Sequence, residues 1–289
     1  MSTVVIPTIT AAPLPIVAPR RISVLWSIAA LALIAVIAGL GLLTASGGRI
    51  MMVETPSMGE VAPVGSLIIE HPIELSAVRT GDIVTFAVDE RPGITYTHRV
   101  IGINADGTLT TKGDINGATD PWPVSSDMLL GTPTAIVPAV GWLATATPVL
   151  LIGSLLIWTL TAPFVNTVTR SSLRLAGASL VFSYASFLYK PFVNLVTITN
   201  TASHGLVDAT VVSTGILPIR ATGPGGAAVT LQPGEVGHLR IHELAHNGYY
   251  QVASTLHLDW TGWCIIAVVC ALPLVISYGI GRNTSTELA

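Results

Sequence analysis

The sequence predicts a membrane-anchored protein with an all-β domain, a second small β-sandwich and three to four transmembrane helices. Two observations indicate this fold class. Of the 289 residues, 51% are hydrophobic and 10% are charged, and the mean hydropathy of +0.69 is too high for a soluble chain of this size. Long charge-free runs also alternate with polar stretches, in which short β-rich segments are divided by Gly and Pro.

The N-terminal region combines a polar tail with a first membrane span. Residues 1–21 are rich in Pro, Ala and Thr and are predicted to form a disordered cytoplasmic tail. Residues 22–46 carry no charge and are long enough for a helix across a bilayer core about 30 Å thick. Arg20 and Arg21 precede this run, as in a cleaved signal peptide. Apolar cores of signal peptides are only about 7–15 residues long, so the length favours an uncleaved anchor.

Two polar regions are predicted to be β domains. Residues 47–141 contain "GSLIIEH", "GDIVTFAV", "ITYTHRVIGI" and "GTLTT", separated by turn residues, and predict an all-β domain. Residues 193–259 alternate between apolar and polar side chains in "LVTITNT", "ATVVSTG" and "AAVTLQPGE". This second pattern predicts a small accessory β-sandwich.

Three further runs are candidate transmembrane helices. Residues 142–166 and 260–281 are apolar and long enough to span a bilayer. Residues 172–192 are a possible additional span, because only 15 uncharged residues separate Arg174 from Lys190. This segment can cross only if both cations extend outward to the headgroups.

The positions of the arginines favour four spans over three. With four spans, the positive-inside rule assigns five arginines to the cytoplasmic side and both β regions to the opposite side. These are Arg20, Arg21, Arg170, Arg174 and Arg282. With three spans, residues 193–259 would be cytoplasmic.

The composition also limits the partners and cofactors. A net charge of −3 provides no positive field for nucleic acid, so no nucleic-acid partner is expected. Cys264 and Cys270 lie within the last apolar run and are expected to pack as small hydrophobic side chains. Neither a disulfide nor a metal site is predicted from them, and no cofactor is expected.

Residue types suited to nucleophilic catalysis occur in the first β region. Amide hydrolysis by this route needs a hydroxyl, a base, a group that orients the base and an oxyanion donor. Ser57 lies in "ETPSMGEVAPVGS" and His98 in "YTHRV", and an imidazole suits a base that works near neutral pH. Asp114 or Asp120, in "TKGDINGATD", can accept the other ring proton. Arg99 faces the opposite side of the strand from His98 and is expected to form a structural ion pair.

Each of these signals is weak when taken alone. Ser57 then resembles an ordinary loop serine, and Asp114 and Asp120 resemble turn residues that follow glycine. Strand alternation places His98 on one face with Tyr96 and Val100, which also suits a buried structural histidine.

The order of five segments resembles type I signal peptidases. The segments are "SMGEVAPVGS", "VRTGDIVTF", "THRVIGI", "TKGDINGATD" and "GTPTAIVPAVGW", within residues 22–142. They are similar to the endoplasmic-reticulum and archaeal kind, in which a histidine stands where most bacterial enzymes have a lysine. The resemblance implies a membrane-anchored, all-β catalytic domain of the signal-peptidase type over residues 47–141.

The resemblance also implies roles for individual residues. Ser57 matches the nucleophile, His98 the general base and Asp120 the acid of the triad. Asp114 matches a second essential aspartate. Thr55 matches a position at which a hydroxyl assists the backbone amide of the nucleophile as oxyanion donor.

The chain departs from the family pattern beside the nucleophile. Pro56 and Glu60 stand where the family usually has Ser or Gly before the nucleophile and Pro three residues after it. Pro56 restricts Thr55 to extended conformations. Lys112 belongs to the "KGD" segment and not to the base position, so a Ser–Lys dyad is not expected.

A second motif predicts a different chemistry. His242, Glu243 and His246 in "HELAH" fit the HExxH pattern of zinc proteases, with His257 as a conceivable third ligand. Both histidines of that pattern must share one helix face, whereas Pro and Gly flank this motif closely. A short helical turn that leads into a strand is the favoured interpretation, and no metal site is predicted.

The expected function is that of a multi-pass cell-membrane serine endopeptidase with its catalytic domain on the extracytoplasmic side. The resemblance implies that it cleaves signal peptides from exported preproteins after small residues. Its expected partners are secretory preproteins, the lipid bilayer and a dedicated substrate bound by the accessory sandwich. The alternative is a catalytically degenerate scaffold that displays the sandwich to a partner, and Pro56 and Glu60 are consistent with it.

Overall fold

The computed structural model describes residues 24–203, 206–242 and 250–286. The chain divides into two units at Ser46. The described part of the first unit is helix α1 (Val24–Ala45), which contains no acidic or basic residue. Most of the large apolar side chains that the structure describes in this helix are exposed, including Leu31 and Ile34.

The first β region is one six-stranded antiparallel sheet. Its strands are β1 (Arg49–Met52), β2 (Leu67–His71), β3 (Ile83–Ala87), β4 (Thr95–Ile103), β5 (Leu109–Lys112) and β6 (Leu129–Val137). Their order in the sheet is β1-β2-β6-β3-β4-β5. The β-sheet character predicted for this region is therefore confirmed.

One face of this sheet carries its hydrophobic core. Val84 and Phe86 on β3, Val100 on β4 and Leu109 on β5 are buried and pack together. Their spacing of two within β3 follows from strand geometry, which directs alternate side chains to the same face. His98 shares the face of Val100, so the core of this sheet also positions the histidine.

The second β region consists of two three-stranded antiparallel sheets. Its strands are β7 (Leu195–Ser203), β8 (Leu206–Ser213), β9 (Ile219–Thr222), β10 (Ala228–Leu231), β11 (Val236–Ile241) and β12 (Ala253–Leu256). One sheet has the order β11-β8-β7 and the other β10-β9-β12. Val211 and Leu239 from the first sheet and Ile219 and Leu231 from the second share one buried core. Two sheets around a common core form a small β-sandwich.

Two packed helices connect the β regions. Helix α2 (Val140–Thr161) and helix α3 (Thr167–Tyr189) are antiparallel, because Gly153 faces Val181 and Gly177 faces Ile157. A Cβ atom added at Gly153 would lie 2.6 Å from Val181. Small residues thus allow the close approach that is typical of membrane helices.

The boundaries of these helices differ from the predicted spans 142–166 and 172–192. The side chain of Asn166 accepts hydrogen bonds from the backbone N–H groups of Val168 and Thr169, so it caps the start of α3. Residues 162–166 are therefore a turn, and α3 begins five residues earlier than predicted. The helix ends at Tyr189, and the next residue, Lys190, has a left-handed conformation and precedes a proline.

The C-terminal helix and the number of spans complete the architecture. Helix α4 (Trp260–Thr286) continues through Pro273. Among the described residues, one helix, Val140–Thr161, is long and apolar enough to cross a membrane by length and composition. Shorter apolar helical stretches are Ala30–Ala45 and Trp260–Pro273. The predicted total of three to four spans stays a prediction.

Candidate active site

Ser57 lies in a short 3₁₀ turn, Pro56–Met58, that follows β1. Thr55 precedes this turn with φ −120° and ψ 152°, the extended conformation that a following proline requires. Two backbone hydrogen bonds, from Val53 to Ser66 and from Gly65 to Val53, close the base of the loop. The nucleophile candidate is therefore held on a defined loop and not on a free segment.

His98 lies on β4 and is 5% exposed. Its ring is 6.2 Å from the ring of Phe86 and 5.9 Å from that of Tyr96, measured between centroids. Its Nε2 atom lies 3.0 Å from Ser57 Oγ, and its Nδ1 atom lies 2.7 Å from Asp120 Oδ2. The structure thus brings Ser57, His98 and Asp120 into one hydrogen-bonded chain.

Asp120 is fixed from two further directions. The Thr111 hydroxyl donates a 2.6 Å hydrogen bond to Asp120 Oδ2, and the Asp120 backbone N–H donates to the Thr111 carbonyl at 2.9 Å. Burial raises the pKa of the Asp120 carboxyl, but hydrogen bonds with His98 and Thr111 and the charge of His98 lower it more. The net pKa lies below its usual value, so Asp120 is ionised near neutral pH.

The ionised carboxylate determines which nitrogen of His98 carries the proton. A carboxylate only accepts hydrogen bonds, so His98 Nδ1 must be the donor toward Asp120. When the ring is neutral, Nε2 carries no hydrogen and can accept the hydrogen bond from the Ser57 hydroxyl. This is the arrangement in which a histidine can remove a proton from serine.

Asp114 lies apart from this chain and pairs with Arg99. The Nε and Nη2 atoms of Arg99 donate to the two carboxylate oxygens of Asp114 at 2.8 and 2.7 Å. Arg99 Nη1 also donates to the Gly81 carbonyl at 2.9 Å. The ion pair expected for Arg99 is thus present, and its partner is Asp114, which the family resemblance matches to a second essential aspartate.

The loop that contains Asp114 nevertheless contacts Ser57, the candidate nucleophile. The backbone N–H of Ile115 donates to the Ser57 carbonyl at 3.1 Å. A Cβ atom added at Gly113 would lie 2.8 Å from the same carbonyl oxygen. Residues 113–116 therefore pack directly against the turn that carries Ser57.

Lys112 is directed away from Ser57. Thr111 faces Asp120, and successive side chains of a strand point to opposite faces, so Lys112 points to the other face of β5. The group that reaches Ser57 Oγ through a ring nitrogen is His98. A lysine base is excluded by this geometry.

A cleft of about 350 Å³ opens beside Ser57. Its lining includes residues 50–52 of β1, then Val53, Glu54 and Thr55, and residues 93–95 and 97. Buried apolar side chains, including Met58, also line it. The Thr55 hydroxyl lies 3.4 Å from Ser57 Oγ, so the candidate oxyanion residue and the candidate nucleophile share this cleft.

Most of the HELAH motif, on which the zinc-protease alternative depends, lies outside the described residues. His242 directly follows β11 and is exposed, while Glu243 and His246 lie outside the described residues. Within the described ranges, His, Cys, Asp and Glu side chains do not gather in a group of three suited to a metal ion. The predicted tail, residues 1–21, also lies outside the described residues.

Sequence reasoning missed the contribution of Thr111. Val100 and Thr111 are direct partners across β4 and β5, which places Thr111 on the face of His98. Period-two alternation alone could not reveal this, because it depends on the register between two strands.

No protein-family model matches this chain, and no curated protein matches it either.

Proposed function

We propose that this chain is a membrane-bound serine endopeptidase of the signal peptidase I kind, with Ser57 as nucleophile and His98 as general base. The observation that carries the proposal is the continuous chain from Ser57 Oγ to His98 Nε2 at 3.0 Å and from His98 Nδ1 to Asp120 at 2.7 Å. Three residues that are distant in sequence meet in the order that a catalytic triad requires.

The geometry supports the following mechanism. Ser57 Oγ attacks the scissile carbonyl carbon while His98 Nε2 takes the hydroxyl proton. Asp120 stabilises the imidazolium that forms. The imidazolium then donates its proton to the leaving amine, which yields an acyl-enzyme on Ser57. A water molecule, deprotonated by the same nitrogen, attacks the ester and regenerates the serine.

Oxyanion stabilisation is assigned to the start of the 3₁₀ turn. The first N–H groups of a helical turn have no acceptor within it, so the Ser57 amide is available to a developing oxyanion. The Thr55 hydroxyl, 3.4 Å from Ser57 Oγ, supplies a second donor in the same cleft. Asp114 does not touch the reacting atoms and acts as a positioning residue through the loop 113–116.

The substrate class is exported preproteins that are cleaved after small residues, as the family resemblance implies. The cleft beside Ser57 is near the lower end of the volumes of ligand sites, about 300–1,000 Å³, which agrees with small side chains next to the cleaved bond. A signal peptide is itself apolar, so a bilayer next to the catalytic domain would deliver it to this cleft.

Four membrane spans are the proposed topology. Gly59 in the first β region and Gly234 in the sandwich are in contact, so both regions lie on one side of any membrane that the connecting helices cross. The segment between them must then cross an even number of times. Helix α3 is long enough to return, and Arg174 is accommodated near its start: its Nε donates to the Thr161 hydroxyl at 3.0 Å.

The test is cleavage of a preprotein with an Ala-x-Ala site by the detergent-purified full chain. Ser57→Ala and His98→Ala are each expected to lower kcat by about 10⁴-fold or more, and a metal chelator should have no effect. Matched controls are Ser76→Ala, at an exposed serine, and His71→Ala, on β2 of the same sheet. Both controls should retain activity.

Other outcomes have defined meanings. Cleavage by folded Ser57→Ala at the wild-type rate would exclude the serine mechanism. Loss of activity with chelator and with His242→Ala would favour the zinc alternative. No cleavage by folded wild type, together with loss of partner binding when residues 193–258 are removed, would favour the degenerate scaffold.

A further inference from the structure

The turn between β10 and β11 lies directly against the loop that carries Ser57. Gly234 in this turn is buried, and a Cβ atom added there would lie 2.5 Å from the Gly59 carbonyl oxygen and 2.9 Å from the Glu60 Cα atom. Backbone therefore packs on backbone, with no space for even a methyl group. The two glycines belong to different β regions of the chain.

Gly59 is enclosed from a second side as well. A Cβ atom added at Gly59 would lie 2.7 Å from the side chain of Ile115 and 3.5 Å from the Gly234 carbonyl oxygen. Gly59 is two residues after Ser57, and its N–H closes the 3₁₀ turn by donating to the Pro56 carbonyl at 2.8 Å. A displacement of Gly59 would therefore be transmitted to the turn that orients Ser57.

The turn of the sandwich is itself firmly held. The Gln232 N–H donates to the Glu235 carboxylate at 2.7 Å, and the Glu235 N–H donates to the Gln232 carbonyl at 3.0 Å. The Gly234 N–H donates to the Ser213 carbonyl at 2.9 Å, and the Ser213 N–H donates to the Glu235 carbonyl at 3.1 Å. These bonds fix residues 232–235 to the end of β8, so the turn moves with the sandwich as a whole.

We propose that the sandwich helps to form the active site: its turn 232–235 holds the Ser57 loop in position through Gly234. This inference rests on the proposed function for its catalytic readout. The hydrogen bond from Ser57 to His98 is useful only while the loop keeps Oγ near 3.0 Å from Nε2. Ile115, in the loop after β5, contacts the Ser57 loop from the six-stranded domain, and Gly234 contacts it from the sandwich. Gly234 is thus a positioning residue and not a catalytic residue.

Two glycines of the sandwich provide a matched pair for the test. Gly234 and Gly226 both have φ of 80°, a conformation that strains any residue with a Cβ atom. A Cβ atom at Gly226 would meet nothing within 4 Å, whereas one at Gly234 would meet the Ser57 loop. Gly226→Ala therefore introduces the backbone strain alone, and Gly234→Ala introduces the strain and the collision.

The experiment measures preprotein cleavage and amide hydrogen exchange for the full-length wild type, Gly234→Ala and Gly226→Ala. Gly234→Ala is expected to lower kcat by about 10- to 100-fold with KM nearly unchanged, because a shift of about 1 Å in a reacting group costs about that much. Exchange at the Gly59 and Val61 amides, which donate within the loop, should become faster in Gly234→Ala only. Gly226→Ala should match wild type in both measurements.

The proposal is overturned if folded Gly234→Ala keeps the wild-type kcat and exchange pattern, or if Gly226→Ala loses as much. Should Gly234→Ala fail to fold, Glu235→Ala replaces it, since its carboxylate shapes the turn without contacting Gly59 in the described structure. An unchanged kcat in that variant also overturns the proposal. The exchange measurement needs no catalysis. If exchange is faster in Gly234→Ala while the wild type is inactive, the positioning of the Ser57 loop by Gly234 is supported and the proposed peptidase activity is rejected.

Discussion

Asp120 links the charge state of the site to the stability of the fold. Its side chain is 8% exposed, and it accepts hydrogen bonds from His98 and Thr111. Burial raises the pKa of Asp120, but these hydrogen bonds and the charge of His98 together lower it more, so the folded pKa lies below that of the unfolded chain. A carboxyl with a depressed folded pKa contributes stability above its unfolded pKa and loses it as the pH falls through the folded value.

We therefore expect Asp120→Asn to destabilise the protein near neutral pH and to lose much of that effect in acid. The difference in melting temperature between wild type and Asp120→Asn should narrow below about pH 4, the usual pKa of an unfolded aspartate. Thermal unfolding in detergent from about pH 7 to pH 3 measures this. Asp89→Asn, at an exposed aspartate, is the control, and a difference that stays constant with pH would contradict the assignment.

At the level of single residues, the sequence predicted that Ser57, His98 and Asp120 meet, but it did not identify Asp114 as the partner of Arg99. Ser57, His98 and Asp120 were assigned from short local segments, and the structure brings them together. Asp114 was predicted as an alternative to Asp120 for orienting His98, and the family resemblance matched it to a second essential aspartate. Its actual partner depends on the register of β4 and β5, which pairs Arg99 with Lys112 and directs Arg99 toward the following loop.

The loop after β5 connects the Arg99–Asp114 ion pair to Ser57, the proposed nucleophile. Arg99 binds both oxygens of Asp114, and the next residue, Ile115, donates its N–H to the Ser57 carbonyl. The hydrogen bond with Asp114 raises the pKa of Arg99, which keeps the guanidinium charged. The pair is partly exposed, so its contribution to stability should be small, about 0.2–1 kcal/mol. The main effect that we expect from the ion pair is to hold the loop 113–116 in position against the Ser57 turn.

A double-mutant cycle on Arg99→Ala and Asp114→Ala tests this interpretation. If Asp114 acts only through Arg99, each single variant should lower kcat about 10-fold or more, and the double variant should be no worse than either single one. KM should change little, since neither residue lines the cleft beside Ser57 as described. Additive losses of kcat in the double variant would instead indicate an independent catalytic role for Asp114.

At the level of elements, strands were easier to predict than helix ends. Alternation and turn residues located the β regions, because a half-buried strand repeats every two residues. The apolar runs did not reveal the turn at residues 162–166, since Pro163, Phe164 and Val165 continue the apolar composition. The capping side chain of Asn166 determines the start of α3, and one capping residue is a weak signal within such a run.

For the whole molecule, the proposed four spans predict the side of each region. In a Cys264→Ala/Cys270→Ala background, single cysteines at Ser76 and Thr230 should react with a membrane-impermeant thiol reagent from the same side. A cysteine at Val165, in the turn between α2 and α3, should react from the opposite side. Sealed vesicles of both orientations provide the measurement. Labelling of Thr230→Cys together with Val165→Cys would establish three spans and would also contradict the contact between the two β regions.

The contact between the β regions could not have been predicted from the sequence. Gly59 and Gly234 are separated by two helices, and each glycine alone is typical of an ordinary turn. Contacts across such a separation depend on how complete units pack, and no local pattern encodes that. The charge distribution supported only the weaker statement that the two regions share one side.

The distance along the chain between Ser57 and Gly234 has a consequence for biosynthesis. Ribosomes add about 5–20 residues per second, so the 177 residues from position 57 to position 234 (234 minus 57) take about 10–35 seconds to appear. Throughout that interval the newly made Ser57 loop has no Gly234 to rest on. A chain made in this order forms the contact late, after its intervening helices have been made, so on the proposed function the Ser57 loop gains its second support only near the end of synthesis.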